Sequence, residues 1–166
     1  MTMTDREQRL FRDACGRFAT GVTAVTGAGV TGELAALTVN SFTSVSLDPM
    51  RVLICVARRS SSFRILTASP RVAVHVLSDE QEEVARRLAT AGLSGAERLS
   101  QLPWTPGPAG EPLLAGAAAR LAGPVVQCVD SGDHAIVVIE VDDVHVGTPG
   151  ESALVFLSGR LMTVTP

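Results

Sequence analysis

Residues 37–47 read LTVNSFTSVSL, and this stretch decides which fold we expect. Hydroxyl and amide side chains recur among its apolar residues, which is typical of strands with one covered face. Asp48-Pro49 ends the stretch with a turn signal, and a near-continuous apolar run from Arg51 to Ala57 follows. Such a run is typical of a strand that is covered on both faces. We therefore expect Phe42–Leu47 and Arg51–Ala57 to be successive strands of an antiparallel sheet.

The residues before this stretch predict one helix and two more strands. Thr4 to Glu7 has the spacing of a capping box, and apolar residues then recur at helical intervals. A first helix should run from about residue 5 to Ala19 and end at Gly21. The strands Val22–Thr26 and Ala35–Val39 should follow, because both contain β-branched residues and turn glycines separate them.

The residues after it predict further helices and a strand. A short helix, Phe63–Ala68, should stop at Ser69-Pro70, because the residue before a proline disfavours helical backbone. Val72–Leu77 alternates well enough to be a strand. Ser78 to Gln81 is a second capping box, which predicts a helix that continues through Ala91.

The last third of the chain predicts a loop and three strands. Residues Pro103 to Pro112 contain too many prolines and glycines for a helix or a central strand, so they should form a surface loop. The three strands are Arg120–Val129, Ala135–Val146 and Ala153–Val164, with turns at Ser131-Gly132 and Thr148-Pro149-Gly150.

Many short strands with few helices indicate a mainly β fold. An antiparallel barrel, closed or partly closed and flanked by a few helices, would also protect the sheet edges. The chain of 166 residues is long enough for one core, so we expect a single domain over residues 1–166.

Composition and charge exclude several classes of function. The formal charge is -3, and the 14 basic residues are interspersed among 17 acidic ones, which leaves no basic stripe for nucleic acid. Residues 1–12 are polar, and no run of eighteen apolar residues occurs, so we expect no membrane segment and a cytoplasmic location. The phosphate-binding motif G-x-x-x-x-G-K-[ST] and the hydrolase motifs H-E-x-x-H and G-x-S-x-G are absent.

The three cysteines do not predict a metal site or a disulfide framework. Cys15, Cys55 and Cys128 are odd in number, widely spaced and without a C-x-x-C pair. We interpret them as small buried hydrophobic residues, and a reactive thiol is the alternative.

Two polar segments could bind a cofactor. The hydroxyls and amide of residues 37–47 could bond the edge of a flat heterocycle, although a solvent-facing Ser/Thr strand is the simpler interpretation. Arg58-Arg59-Ser60-Ser61-Ser62 precedes the short helix, and two guanidinium groups and three hydroxyls there would suit a phosphate. The alternative role for Ser60 or Ser61 is a simple helix N-cap, which is compatible with phosphate binding.

Two further segments carry charge or an imidazole. Gly132-Asp133-His134 lies between two predicted strands, where it is either a plain turn or a turn that directs His134 into a pocket. We assign His75 and His145 to the core or the surface. Near the end of the chain, Gly159 permits close approach of backbone and Arg160 supplies a charge.

The polar segments together resemble the flavin reductase-like, FMN-binding split-barrel family over residues 9–160. The matching stretches are residues 11–23, 38–49, 60–62, 74–78 and 132–134, in the order and spacing of that family. The resemblance implies an antiparallel split β-barrel of the FMN-binding type. It also implies a homodimer, with the helix opened by Ser78 near the interface and the second subunit completing each flavin site.

The resemblance also implies which residues bind the cofactors. The isoalloxazine ring and ribityl chain would lie among Thr38, Val39, Asn40, Ser41, Ser44, Val45 and Ser46. The phosphate would be held by Ala57, Arg58, Ser61 and Ser62. The nicotinamide nucleotide would lie beside Gly132, Asp133 and His134, with Arg160 as a further candidate on that side.

The family pattern implies a NAD(P)H:flavin oxidoreductase. It would pass a hydride from NADH or NADPH to FMN or FAD and supply the reduced flavin to a separate flavin-dependent monooxygenase. The cofactors carry that chemistry, so the protein needs neither a metal nor a nucleophile and only aligns the two rings.

Three departures from the family pattern keep an alternative open. Leu161 replaces an aromatic hydroxyl, Gly123 ends a Leu-Ala-Gly where relatives have Leu-Glu-Cys, and Ile139 replaces a glycine. A flavin-binding split-barrel module without reductase activity is therefore one alternative. An oxidase that keeps its flavin on the same barrel is another.

Overall fold

The computed structural model describes residues 4–148 and 152–164, which form four helices and fourteen strands. The helices are α1 (Asp5–Gly16), α2 (Phe63–Ala68), α3 (Glu82–Leu88) and α4 (Gly95–Leu99). The first seven strands are β1 (Thr20–Gly21), β2 (Thr23–Ala28), β3 (Leu34–Val39), β4 (Thr43–Leu47), β5 (Met50–Ala57), β6 (Val72–Val76) and β7 (Trp104–Pro106). The other seven are β8 (Pro112–Leu114), β9 (Ala119–Gly123), β10 (Val125–Ser131), β11 (His134–Glu140), β12 (Asp143–Val146), β13 (Ala153–Leu157) and β14 (Arg160–Val164).

Two antiparallel sheets form the body of the protein. One has the order β12-β9-β6-β2-β3 and the other the order β10-β11-β5-β4. A smaller sheet, β1-β13-β14, and the hairpin β7-β8 complete the described strands. Every pairing among these strands is antiparallel, so the expected mainly β, antiparallel fold is confirmed.

The five-stranded sheet is covered on both faces. Val25 and Leu37 point from one face into a core shared with Ile54 and Ile139 of the other sheet. Their neighbours point the opposite way, into a second core that contains Ala36 together with Leu88 of α3 and Leu99 of α4. Because successive side chains of a strand alternate between faces, both faces of β2 and β3 are apolar.

Two predicted helices are longer than the observed ones. α1 ends at Gly16 and not at Ala19, because the chain then extends into β1, which pairs with β13. The capping box at Ser78 is present, but it opens a single 3-10 turn at Asp79–Gln81. α3 follows that turn and ends at Leu88, three residues before the predicted end.

Each of the three long strands predicted near the end of the chain is two strands. Pro124 separates β9 from β10, since proline has no N–H for the ladder. β11 and β12 separate at residues 141–142, where the chain passes close to Gly123. β13 and β14 join in a tight turn at Ser158-Gly159, whose φ angles are 49° and 78°.

Gly159 has the positive φ that this turn requires, and a Cβ placed there would meet no atom of the described residues within 4 Å. No backbone of the described residues uses the close approach that Gly159 was expected to permit, so for a ligand that approach stays a prediction. The turn predicted at Ser131-Gly132 is confirmed, because β10 ends at Ser131 and Gly132 has a φ of 62°. Of the turn predicted at 148–150, Pro149 and Gly150 lie outside the described residues.

Two further predictions about local structure are wrong. The stretch from Pro103 to Pro112 is not a plain loop, because its two ends pair as the hairpin β7-β8. The cysteines are not buried, since Cys15 and Cys128 are exposed and Cys55 is half-buried. No helix of residues 4–148 and 152–164 has the length and hydropathy that a membrane-spanning helix requires.

Candidate functional site

Three adjoining cavities share Asn40, the residue that follows β3, and we call them together the Asn40 groove. The first cavity, of about 360 Å³, is lined by Leu37, Thr38, Val39, Asn40, Ser41, Cys55, Val56, Ala57, Ser60, Leu88, Ala89, Arg98 and His134. The second, of about 450 Å³, lies between α3 and the β13–β14 hairpin. The third, of about 690 Å³, lies against α1. Volumes of this size are typical of nucleotide-sized ligand sites.

The first cavity contains residues from both predicted halves of the site. β11 pairs with β5 in a register that sets His134 opposite Ala57. Thr38, Asn40 and Ser41 reach the same cavity from the end of β3. The fold therefore brings most of the predicted ring-binding segment and the predicted nicotinamide-side histidine to one place, although about ninety residues of chain separate them.

Two hydroxyl groups of this cavity also form hydrogen bonds with the backbone of neighbouring elements. Ser41 Oγ accepts the N–H of Cys55 at 2.8 Å and donates to its carbonyl at 3.1 Å, which fixes the segment after β3 to β5. Thr38 Oγ1 donates to the carbonyl of Ala85 at 2.6 Å and so ties β3 to α3. Val39 is 6% exposed and its side chain packs in the core, so only its backbone can serve a ligand. Asn40 is exposed.

Ser44, Val45 and Ser46 do not line the Asn40 groove. They lie on β4, an edge strand of the four-stranded sheet, and a bulge separates the pairing of Ser44 from that of Ser46. Val45 is 49% exposed, and the Ser46 hydroxyl donates to the carbonyl of Pro49. For these three residues the geometry agrees with the alternative of a solvent-facing Ser/Thr strand.

The predicted phosphate segment is mostly occupied by contacts within the protein. Arg58 forms an ion pair with Asp130 at 3.1 Å. Ser61 Oγ donates to the carbonyl of Leu93 at 3.4 Å. Ser60 is the member of the segment that lines the first cavity with Ala57.

Ser62 is buried against β3. Its hydroxyl accepts the N–H of Ala36 at 3.3 Å and donates to the carbonyl of Ala36 at 3.2 Å. Ser62 is also the N-cap residue of α2, without a side-chain capping bond, so the predicted N-cap at Ser60 or Ser61 is wrong.

The His134 ring is oriented by its neighbour. Its Nδ1 lies 2.7 Å from Asp133 Oδ1, and this hydrogen bond lowers the pKa of Asp133 below its ordinary value. The side chain of His134 is 47% exposed and lines the first cavity, so Nε2 is the ring nitrogen available to a ligand. Arg160 begins β14 and does not line the groove, although its neighbours Gly159 and Leu161 do.

The sequence analysis missed the part of the groove that α3 and α4 supply. Ala85, Arg86 and Ala89 line the second cavity, where the small side chains of α3 leave space beside Thr38. Arg98 of α4 is 7% exposed and lines the first cavity, and burial lowers its pKa. Ser94 and Glu97 form a capping box, a signal that could have located α4.

The three departures from the family pattern have different surroundings. Leu161 lines the second cavity beside Thr38 and Asn40, so this departure lies within the Asn40 groove. Ile139 lies in the core, and Gly123 pairs with Val72 in the five-stranded sheet. A Cβ at position 123 would lie 1.8 Å from the carbonyl oxygen of Glu140, so glycine is required there for packing.

Comparisons with known proteins show the family of this chain. A family model described as flavin reductase like domain matches residues 15–165. Two curated relatives are each 37% identical: the probable flavin reductase of Rhizobium meliloti (strain 1021), over 83% of this chain, and the reductase component of the flavin-dependent trigonelline monooxygenase of Acinetobacter baylyi, over 81%. The chain spans 43% of the length of each of these two relatives.

A solved structure is similar over the whole chain. It is the NADH:FAD oxidoreductase of Streptomyces globisporus C-1027 in complex with NAD and FAD fragments. The TM-score is 0.87 at 37% sequence identity, and the match covers 100% of this chain and 98% of the other.

Proposed function

Since this chain belongs to the flavin reductase-like domain family, we propose that it is a NAD(P)H:flavin oxidoreductase that reduces FMN or FAD with NADH or NADPH. One observation carries the proposal: Thr38, Asn40, Ser41 and His134 line a single cavity next to Ala57. Relatives named as flavin reductases and reductase components support the same activity.

The proposed role of the protein is alignment of two bound nucleotides. When bound, the flavin and the nicotinamide supply the hydride chemistry themselves. Asn40 is exposed, and its side-chain amide has a donor and an acceptor for the edge of a flavin ring. The hydrogen bonds between Ser41 and Cys55 hold the segment that contains Asn40 against β5. His134, oriented by Asp133, presents Nε2 to the nicotinamide nucleotide.

Some of the predicted contacts stay predictions for this function. Ring contacts by Ser44, Val45 and Ser46, phosphate contacts by Arg58, Ser61 and Ser62, and nicotinamide contacts by Arg160 concern side chains that do not line the groove. The lining of the first cavity instead supports ligand contacts by Ser60, next to Ala57, and by the backbone of Val39.

Steady-state absorbance at 340 nm tests the activity. The purified protein should oxidise NADH or NADPH only when FMN or FAD is added, and FMN and FAD should each be measured against both nucleotides. No turnover with any of the four combinations would reject the proposal.

We further propose that the reduced flavin passes to a separate flavin-dependent monooxygenase, as the name of the trigonelline relative suggests.

We also propose that the protein is a homodimer, in which the second copy would supply the second wall of the groove. Its support is an exposed apolar surface formed by Leu10, Phe11 and Phe18, which are 59%, 64% and 77% exposed.

A flavin-binding module without reductase activity is the second candidate. Leu161 favours it, because an aliphatic side chain lines the second cavity at a position where relatives resembling this chain carry an aromatic hydroxyl. Retention of flavin through gel filtration without NADH or NADPH oxidation would support this candidate against the first.

A further inference from the structure

A further cavity lies outside the Asn40 groove, where the hairpin β7-β8 meets β9 and β12. We call it the Trp104 cavity, after the indole that lines it. Its volume is about 390 Å³, and it shares no lining residue with the three cavities of the Asn40 groove. A volume at the lower end of the range for ligand sites suits a molecule of one or two rings and not a dinucleotide.

Most of the lining of the Trp104 cavity is apolar. Trp104 is half-buried and packs against the core that contains Leu88 and Leu99. Leu113 and Ala117 line the same cavity. Aromatic side chains bind other rings by stacked or edge-to-face contacts, so an indole among aliphatic groups favours a flat, apolar ring.

Arg120 supplies the charge of this cavity. It lies on β9, opposite His145 of β12, so the two side chains share one face of the sheet. Among the lining residues that the structure describes, these two are the ones whose side chains can carry a positive charge, and none is a carboxylate. The lining therefore suits an anion and not a cation.

The guanidinium of Arg120 is only partly satisfied by the protein. Within the described ranges its one hydrogen bond runs from Nη2 to Asp143 at 3.1 Å, and its buried Nε has no partner. Asp143 is not a lining residue, so a ligand would meet the cationic end of this ion pair. The nearby Arg71 pairs with Glu111 and Asp142 and does not line the cavity. The side chain of Arg120 is 22% exposed, which leaves it within reach of a ligand.

We propose that the Trp104 cavity is a second ligand site, which binds a small aromatic carboxylate. The ring lies against Trp104, and the carboxylate accepts hydrogen bonds from the Arg120 guanidinium, whose planar N–H groups match two carboxylate oxygens. The inference does not rest on the proposed flavin reduction, because no residue of the Asn40 groove takes part in it.

The fluorescence of Trp104 tests the proposal directly, because the chain contains one tryptophan and no tyrosine. Benzoate should change the emission of the wild-type protein with a dissociation constant on the order of 0.1 to 1 mM, the range for a ligand of this size. Benzyl alcohol has the same ring without the charge and should bind roughly 10-fold more weakly. An emission that benzoate does not change, or equal affinities for the two ligands, would overturn the proposal.

Variants separate recognition of the carboxylate from support of the fold. Arg120→Gln should weaken benzoate roughly 10-fold, to the level of benzyl alcohol, and change benzyl alcohol by less than about 3-fold. Arg51→Gln is the matched control, because Arg51 forms an ion pair with Glu140 at 2.9 Å on the other sheet. It should leave both affinities unchanged. If Arg120→Gln weakens both ligands equally, Arg120 only shapes the cavity and the proposal is wrong.

A crystal of the wild-type protein soaked with benzoate tests the site without any variant. The carboxylate should lie within hydrogen-bond distance of Arg120, and benzoate bound only in the Asn40 groove contradicts the proposal. The affinity for FMN should be the same with and without saturating benzoate, and competition between the two would also contradict it. A protein that binds benzoate beside Trp104 but reduces no flavin would refute the proposed function alone. A protein that reduces flavin but binds no benzoate would refute this inference alone.

Discussion

At the scale of single residues, His134 connects the two halves of the proposed site. It faces Ala57 across the β5–β11 pairing and is held by Asp133 at 2.7 Å. We expect His134→Ala to raise the KM for NADH or NADPH by roughly 10-fold, the cost of one lost hydrogen bond in a ligand site. The KM for flavin should change less, and initial rates with each substrate varied in turn measure both.

The exposed His145 offers a matched control for this variant. It lies on β12 and lines a different cavity, so His145→Ala should leave both KM values near the wild-type values. If His134→Ala raises the KM for flavin more than the KM for the nicotinamide nucleotide, His134 does not bind the nicotinamide side.

His75 makes folding stability dependent on pH. It is fully buried, its Nδ1 lies 3.2 Å from the carbonyl of Ala24, and its Nε2 accepts the N–H of Leu114 at 3.1 Å. Burial lowers its pKa from 6.5 to about 4, with Arg120 as a further cause. Because the unfolded chain takes up a proton below about pH 6.5 and the folded protein does not, stability should fall from pH 6.5 to 4.

Urea unfolding at several pH values measures this contribution. Over that interval His75 should reduce the free energy of unfolding by up to about 3 kcal/mol. The decline should be shallower in His75→Gln, which cannot titrate, and unchanged in His145→Gln. An equal slope in all three proteins would show that other groups cause the acid instability.

Single residues also show how far sequence reasoning reaches. Asn40 was predicted from the polar side chains of residues 37–47 and His134 from its turn, both together with the family resemblance, and both line the first cavity. Ser62 could not be assigned in that way. Its buried hydroxyl bonds to Ala36, twenty-six residues away in the chain, and no local pattern predicts such a partner.

At the scale of elements, α4 depends on one glycine. A Cβ at Gly95 would lie 1.9 Å from the carbonyl oxygen of Leu34, so α4 packs directly against the backbone of β3. We expect Gly95→Ala to lower the free energy of unfolding by about 2 to 4 kcal/mol, because helix and strand must separate. Gly21→Ala is the control, since a Cβ there meets nothing within 4 Å. Equal thermal shifts in both variants would contradict the close packing.

The same glycine explains why α4 was not predicted. Gly92 and Gly95 are typical of a break in the chain, and the capping box formed by Ser94 and Glu97 is a local signal for α4 that the prediction did not use. The requirement for glycine comes from β3, sixty residues earlier, and not from the local backbone. α2 was predicted with its observed bounds, Phe63–Ala68, because its end signal, Ser69-Pro70, is local.

At the scale of the whole molecule, the first cavity is assembled from distant parts of the chain. β3, β5, β11 and α4 each supply one wall, and their meeting depends on strand pairings such as that of Ala57 with His134. The sequence predicted that antiparallel strands exist. It could not predict which strands pair, and so it did not place Arg98 of α4 at this cavity.

The exposed apolar surface of Leu10, Phe11 and Phe18 predicts how copies of the protein associate. α1 has no buried residue, although its sequence is amphipathic, so its apolar side needs a partner. We expect the wild-type protein to sediment as a dimer. The double variant Phe11→Ser, Phe18→Ser should raise the dimer dissociation constant by more than roughly 100-fold, because each buried Phe contributes about 1.5 to 3 kcal/mol.

Formation of the dimer should also strengthen flavin binding. Phe11 and Phe18 line the third cavity, which shares Asn40 with the first, so loss of the dimer should weaken FMN binding as well. Val30→Ser changes a residue that is 82% exposed in the turn between β2 and β3, away from the groove, and should alter neither property. A wild-type protein that is monomeric at micromolar concentration, yet reduces flavin at full rate, would show that one copy completes the groove. If instead FMN affinity and the dimer are lost together in the double variant, and both persist in Val30→Ser, the second copy forms part of the site.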